Sequence, residues 1–311
     1  MSLPARRLLL TFLTGLLVGA SYVIGKLAMA HGVSPVAMSL VQIGGAALVL
    51  LALLRGDGTR LPRDPRTLRF FAMAAAIAVV GSTLLGNWVL ARIPAGVFTL
   101  LVTLSPLFTS MLSAAVARRR PAARALLGTA LGLLGVALVL APRAQGVDRE
   151  QTLALLLALA VPLLLASGNV YRARHWPHGV SAIAVSAGIL GVQALLLVPV
   201  TLATERADSL PPLAANAPLL ALLVAVTVAG NVAGAALQRI ADSVAYSQIG
   251  YVIALTGVGA GALLFGERLG LAFVPALALV FTGVVLVNRR PSTPSASLPQ
   301  TASAALPGAP R

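Results

Sequence analysis

His31-Gly-Val-Ser-Pro-Val-Ala-Met-Ser39 and His178-Gly-Val-Ser-Ala-Ile-Ala-Val-Ser186 spell one pattern twice, 147 residues apart in a chain of 311. Their flanks align at the same offset: Ala91-Arg92-Ile93 falls on Gln238-Arg239-Ile240, and Gly44 falls on Gly191. With one residue of slippage, Ala20-Ser21 falls on Ala166-Ser167 and Gly135-Val136 on Gly283-Val284. The chain reads as two copies of one unit, so the nature of that unit decides the fold.

The unit belongs in lipid. Hydrophobic residues make up 58% of the chain, charged ones 10%, and the mean hydropathy is +0.94. Soluble domains carry about 25% charged residues. With no cysteine there is neither a disulfide framework nor a thiolate metal site. A net charge of +15 would suggest nucleic acid in a soluble protein. Here the basic residues lie between apolar runs, where orientation in a bilayer explains them and no nucleic-acid partner is needed.

Spans of about 20 apolar residues cross a hydrocarbon core. The first copy, residues 1–141, supplies five: Leu8–Met29, Pro35–Leu54, Leu68–Ala91, Pro94–Ala117 and Arg124–Ala141. Residues 142–151 form a linker. The second copy, residues 152–288, supplies Thr152–Tyr171, Val180–Ala203, Pro218–Arg239, Ser243–Phe265 and Leu269–Val287. Residues 289–311, rich in Pro, Ser, Ala and Thr, read as a disordered cytoplasmic tail. Arg6-Arg7 before an apolar run resembles a signal peptide, but the run has a counterpart in the second copy and reads as a retained first helix.

Five is odd, so the two copies must enter the membrane in opposite directions, as inverted repeats of an all-α polytopic protein with ten transmembrane helices. Charge supports this. Arg55, Arg60, Arg63, Arg66 and Arg69 fill the second-to-third loop, whereas the matching loop has Arg206 beside Glu205 and Asp208. Arg118, Arg119, Arg120 and Arg124 flank the fourth-to-fifth loop; its counterpart has Arg268 beside Glu267. With both termini cytoplasmic, 17 of the 23 basic residues fall on the inner side or in the tail, as the positive-inside rule requires. Gly15/Gly19, Gly128/Gly132, Gly230/Gly234 and Gly257/Gly261 are four Gly-x-x-x-Gly pairs, suited to close helix packing in lipid.

Leu263-Leu-Phe-Gly-Glu-Arg-Leu269 followed by Gly283-Val-Val-Leu, with Lys26 late in the first span and Pro106 inside the fourth, resembles the EamA family of the drug/metabolite transporter superfamily. The resemblance runs from Leu8 to Asn288. It implies export of amino acids, related metabolites or drugs from the bacterial cytoplasm, through a pathway lined by helices 1, 3, 4, 6, 8 and 9. Two departures stand out: Gln42 where such proteins often carry arginine, and Arg118-Arg-Arg-Pro121 where the second copy has Gly-Glu-Arg.

All eight acids (Asp57, Asp64, Asp148, Glu150, Glu205, Asp208, Asp242 and Glu267) fall in loops or at helix ends. No mid-membrane carboxylate is therefore available for a proton relay. Glu267 reads as a turn residue beside Arg268 near the outer surface. Lys26 and its counterpart Arg172 read as snorkelling cations, with a cation at the mouth of a pathway as the functional alternative; the repeat pair Arg92 and Arg239 admits the same two readings.

Uncharged polar residues reach deeper. Tyr22 lies in the first span, Asn87 and Trp88 in the third, Ser105 beside Pro106 in the fourth, Asn169 in the sixth, Asn231 in the eighth, and Tyr246, Gln248 and Tyr251 in the ninth. Singly, each is accounted for by an interhelical hydrogen bond or an aromatic belt. Together they point to a central polar cavity for a small zwitterionic or aromatic solute.

The expected function is secondary transport by alternating access, exporting an amino acid or related compound across the bacterial inner membrane. A channel and an intramembrane enzyme are the alternatives. The enzyme lacks a catalytic or metal-ligating set, because His31, His175 and His178 all fall in loops. No cofactor is implied. The partners are the solute and the lipid bilayer, with a homodimer left open.

Overall fold

The computed structural model describes residues 3–78, 83–143, 149–206, 209–241, 246–267 and 271–288. The tail 289–311, linker residues 144–148, and Asp148, Asp208, Asp242 and Arg268 lie outside the described residues. Everything described is helix, turn or loop, with no strand among the described residues.

The helices are α1 (Leu3–Ala30), α2 (Pro35–Gly56), α3 (Pro65–Ala78), α4 (Gly86–Leu90), α5 (Ala95–Val102), α6 (Ser105–Val116), α7 (Ala123–Arg143), α8 (Arg149–Ala158), α9 (Ala160–His175), α10 (Ala182–Thr204), α11 (Leu210–Ala215), α12 (Ala217–Gln238), α13 (Ile249–Phe265) and α14 (Phe273–Asn288). Seven stretches among the described residues are long and apolar enough to cross a membrane; α7, α13 and α14 add shorter apolar stretches. The chain is an all-helical, multi-pass membrane protein. Its outer face agrees: Leu8, Leu48, Leu195, Leu202, Leu263 and Leu271 are exposed large apolar side chains, a surface that lipid tolerates and water does not.

The repeated opening pattern is a helix start made twice. Gly32 and Gly179 adopt φ of +85° and +73°, a left-handed conformation that glycine takes at little cost. Two residues later Ser34 and Ser181 act as N-caps, accepting hydrogen bonds from Ala37 N at 3.2 Å and Ala184 N at 3.1 Å. Each cap satisfies one of the donors that a helix start leaves unpaired. The histidines stay at the surface; His31 Nδ1 lies 3.1 Å from Asn216 Oδ1. A different cap starts α3, where Thr67 N donates to Asp64 Oδ1 at 2.9 Å and holds that carboxyl below the usual carboxylate range.

Several expected spans are interrupted. The fourth divides into α5 and α6 at Thr103-Leu104, just before Pro106, because proline has no N–H to continue the ladder. The sixth divides into α8 and α9 at Leu159, three residues before Pro162. In the third, residues 83–85 form a π-helical turn ahead of α4.

Every residue of α5 is buried, which makes it the centre of the bundle. Around it α1 packs on α12 and α13, α9 on α3 and α6, α2 on α10, and α7 on α14. The Gly-x-x-x-Gly pairs lie at these contacts. A methyl on Gly15 would come within 2.5 Å of Val252 Cβ, and one on Gly19 within 2.7 Å of Thr256 Cβ. Both helices advance by four residues between those contacts, so α1 and α13 run parallel.

Candidate functional site

A cavity of about 210 Å³ lies among α1, α2, α3, α4, α5, α6, α9, α10, α12 and α13, below the usual range of small-molecule pockets. Six of the nine polar residues singled out from sequence line it: Tyr22, Asn87, Ser105, Asn169, Asn231 and Tyr246. The other three stand elsewhere. Trp88 is one residue round the helix from Asn87 and stacks under Arg92, whose guanidinium carbon is 4.0 Å from the ring centroid. Arg92 also pairs with Glu150 at 2.7 Å. Gln248 sits at the start of α13 and is not among the lining residues. Tyr251 packs against Phe281, ring centroids 5.1 Å apart.

Of the further polar groups in the lining, four form two bridges between helices. Gln42 Nε2 donates to Thr227 Oγ1 at 2.9 Å, joining α2 to α12. Gln193 Nε2 donates to Thr83 Oγ1 at 2.7 Å, joining α10 to the π-turn before α4. A sequence signal for this was present. Thr83-Leu-Leu-Gly-Asn87 and Thr227-Val-Ala-Gly-Asn231 are a second echo, 144 residues apart. Each threonine receives a glutamine from the other copy, while each asparagine is bound within its own copy. Asn87 Nδ2 donates to Ser39 Oγ at 2.8 Å, and Ser186 Oγ donates to the Asn231 carbonyl at 3.2 Å.

Arg172 also lines the cavity. Its Nη2 donates to Asn169 Oδ1 at 3.0 Å, and its guanidinium carbon lies 5.9 Å from the Tyr246 ring centroid. Asn169 Nδ2 in turn reaches Ser105 Oγ at 3.4 Å. The snorkelling expected for this arginine gives way to a place in the lining, because α9 carries it on the same face as Leu165 and Asn169, one helical turn apart.

Residues 6–141 match the EamA-like transporter family. That match spans 136 of the chain's 311 residues. Among curated proteins, a probable terminal-alkyne amino-acid exporter of Streptantibioticus cattleyicolor is 27% identical over 270 residues, covering 84% of this chain and 85% of that protein. A crystal structure superposes with a TM-score of 0.63 at 18% identity, covering 89% of this chain and 97% of the other; at that identity the likeness concerns the fold. The family match and the exporter relative point to a transmembrane transporter rather than an enzyme.

Beyond the cavity, the EamA-like chain ties Lys26 to Glu267. Lys26 Nζ lies 3.0 Å from Glu267 Oε1 and donates to the Ile93 carbonyl at 2.8 Å. The same carboxylate accepts from Ala95 N at 2.6 Å and Gly96 N at 3.0 Å, the first two amides of α5. Snorkelling does not describe Lys26 here, and the Arg268 expected beside Glu267 lies outside the described residues. A carboxylate over a helix N-terminus is favoured by the helix dipole and by the free N–H groups there.

Proposed function

We propose that this chain exports a small organic metabolite, an amino acid or a related compound, from the cytoplasm across the bacterial inner membrane by alternating access. Its working parts are two five-span copies inserted in opposite directions, the first over residues 1–141 and the second over 152–288. The observation that carries this reading is the exchange of partners around the cavity. The second span's Gln42 binds the eighth span's Thr227, and the seventh span's Gln193 binds the third span's Thr83. Exchanging the copies turns one pair of spans into the other, with Gln193 four residues, about one helical turn, beyond the counterpart of Gln42. Helix packing supports the same exchange, since α1 meets α12 and α13 as α9 meets α3 and α6.

A cavity built from both copies suits a carrier whose two similar arrangements open to opposite sides. The breaks at Thr103-Leu104 and Leu159 put flexible points in the helices beside it. Irregular backbone within a membrane is tolerated where protein or a cavity surrounds it. The amino-acid assignment draws on the exporter name of the curated relative and on the polar, small cavity. With no carboxylate lining the cavity among the described residues, facilitated diffusion is favoured over proton antiport.

Liposomes containing the purified protein and loaded with radiolabelled amino acids test this. Saturable, protein-dependent efflux without conductance is expected. No flux across a broad panel of amino acids and drugs would defeat the carrier, and single-channel conductance would replace it with a pore.

A further inference from the structure

We propose that Arg172 anchors the carboxylate of the transported solute, so that a free carboxylate is a condition of transport. This rests on the exporter reading and adds a specificity residue to it. Arg172 is the one charged residue lining the cavity among the described residues. An ionisable group facing a cavity inside a membrane protein is costly to keep there without a use. No acid among the described residues pairs with it. Its Nε is shielded from solvent and has no hydrogen-bond partner among the described residues, and a buried donor of that kind calls for a ligand or water.

The chemistry selects a carboxylate. A guanidinium presents a planar fork of N–H donors that matches a carboxylate in two parallel hydrogen bonds. One cation balances one negative charge, whereas a dianionic phosphate would leave a charge uncompensated in a site of low polarity. Asn169 holds the guanidinium from one side and Tyr246 covers it from another. Leu17, Val18, Leu165, Ile249 and Ile253 offer apolar surface to the rest of the solute.

The anchor also sits at a definite end of the cavity. A methyl on Gly234 would lie 3.1 Å from Tyr246 Oη and 3.3 Å from Thr14 Cγ2, so Tyr246 is level with Thr14 on α1. Lys26 is twelve residues further along that helix, roughly 18 Å at the α-helical rise. The cation that receives solute and the Lys26–Glu267 tie are therefore at opposite ends of α1. In the orientation proposed above, Arg172 faces the cytoplasm and meets the solute first.

The test compares amino acids with the amines that lack only the carboxylate: phenylalanine against phenethylamine, and leucine against isoamylamine, all radiolabelled. Proteoliposomes carry wild type, Arg172→Gln or Arg172→Lys. Wild type is expected to carry the carboxylate members at least tenfold faster. Arg172→Gln should abolish that preference, and Arg172→Lys should restore part of it. Equal wild-type rates for acid and amine would overturn the anchor while leaving the exporter standing. So would a preference preserved in monodisperse Arg172→Gln protein. Wild type that carries no member of the panel would overturn the exporter reading and the anchor with it.

Discussion

Lys26 and Glu267, 241 residues apart in sequence, meet at 3.0 Å across the bundle, and the glutamate simultaneously caps α5. The pair is mostly enclosed, with side-chain exposures of 18% and 10%. The two partners are unequal. Removing Lys26 leaves the carboxylate with Ala95 N and Gly96 N as donors, while removing Glu267 orphans both amides and leaves the ammonium without its counter-charge, held by the Ile93 carbonyl. Breaking an enclosed pair by deleting one partner costs several kcal/mol. Glu267→Ala should lower stability in detergent by about 3 kcal/mol, and Lys26→Met by roughly 1 kcal/mol. The double variant should cost less than the sum, as interacting groups require. Thermal unfolding of the three variants measures the coupling, and additivity would show that the contact contributes nothing.

The repeated His-Gly-Val-Ser pattern makes a contrasting pair of predictions, because its serine and its histidine have different jobs. Ser181→Ala removes the cap on α10 and should cost about 1 kcal/mol. His178→Ala, at an exposed position, should change stability by less than about 0.5 kcal/mol. Much of the fold was legible in this pattern, since its two occurrences marked equivalent helix starts. The site was legible only in part. Asn87 and Trp88 are adjacent in sequence yet about 100° apart around a helix, so composition alone could not say which faces the cavity. The partners of Gln42 and Gln193 lie in the other copy, at a distance that no local pattern encodes. Arg172 looked like an interfacial cation because its depth depends on how α9 is placed beside α6, not on its own neighbours.

The two glutamines should behave alike. Interhelical hydrogen bonds in membranes average about 0.6 kcal/mol, so Gln42→Leu and Gln193→Leu should each cost little stability. Transport should suffer more, because in the proposed alternating access each bond spans surfaces that slide as the cavity changes sides. Flux in liposomes is expected to fall several-fold in both variants, by similar factors. A loss confined to one of them would break the equivalence of the two copies around the cavity.

Glycine packing gives a sharper stability contrast. A methyl on Gly128 would meet the Gly283 backbone and lie 2.7 Å from Val287 Cγ2, whereas one on Gly191 meets nothing within 4 Å. Backbone cannot rotate away as a side chain can, so Gly128→Ala must push α7 and α14 apart, at a cost of about 1–3 kcal/mol. Gly191→Ala should stabilise α10 by up to about 1 kcal/mol, through the lower conformational freedom of alanine in the unfolded chain. Melting temperatures of the two alanine variants in the same detergent would separate the effects, and equal shifts would show that the α7–α14 contact yields easily.

The opposed insertion proposed for the two copies can be tested by labelling, and the absence of cysteine makes the chain ready for it. Arg66 at the start of α3 and Leu210 at the start of α11 are both exposed. They occupy the loop after the second span of each copy. One loop is dense in arginine, and the other carries Arg206 with Glu205, a difference that the positive-inside rule converts into opposite sides. In right-side-out vesicles an impermeant maleimide should label Leu210→Cys and leave Arg66→Cys unlabelled until the membrane is opened. Reversed labelling would keep the two copies opposed but turn the whole protein over, placing Arg172 at the outer face. Labelling of both from one side would require an even number of crossings between residues 66 and 210, which two opposed five-span copies cannot supply.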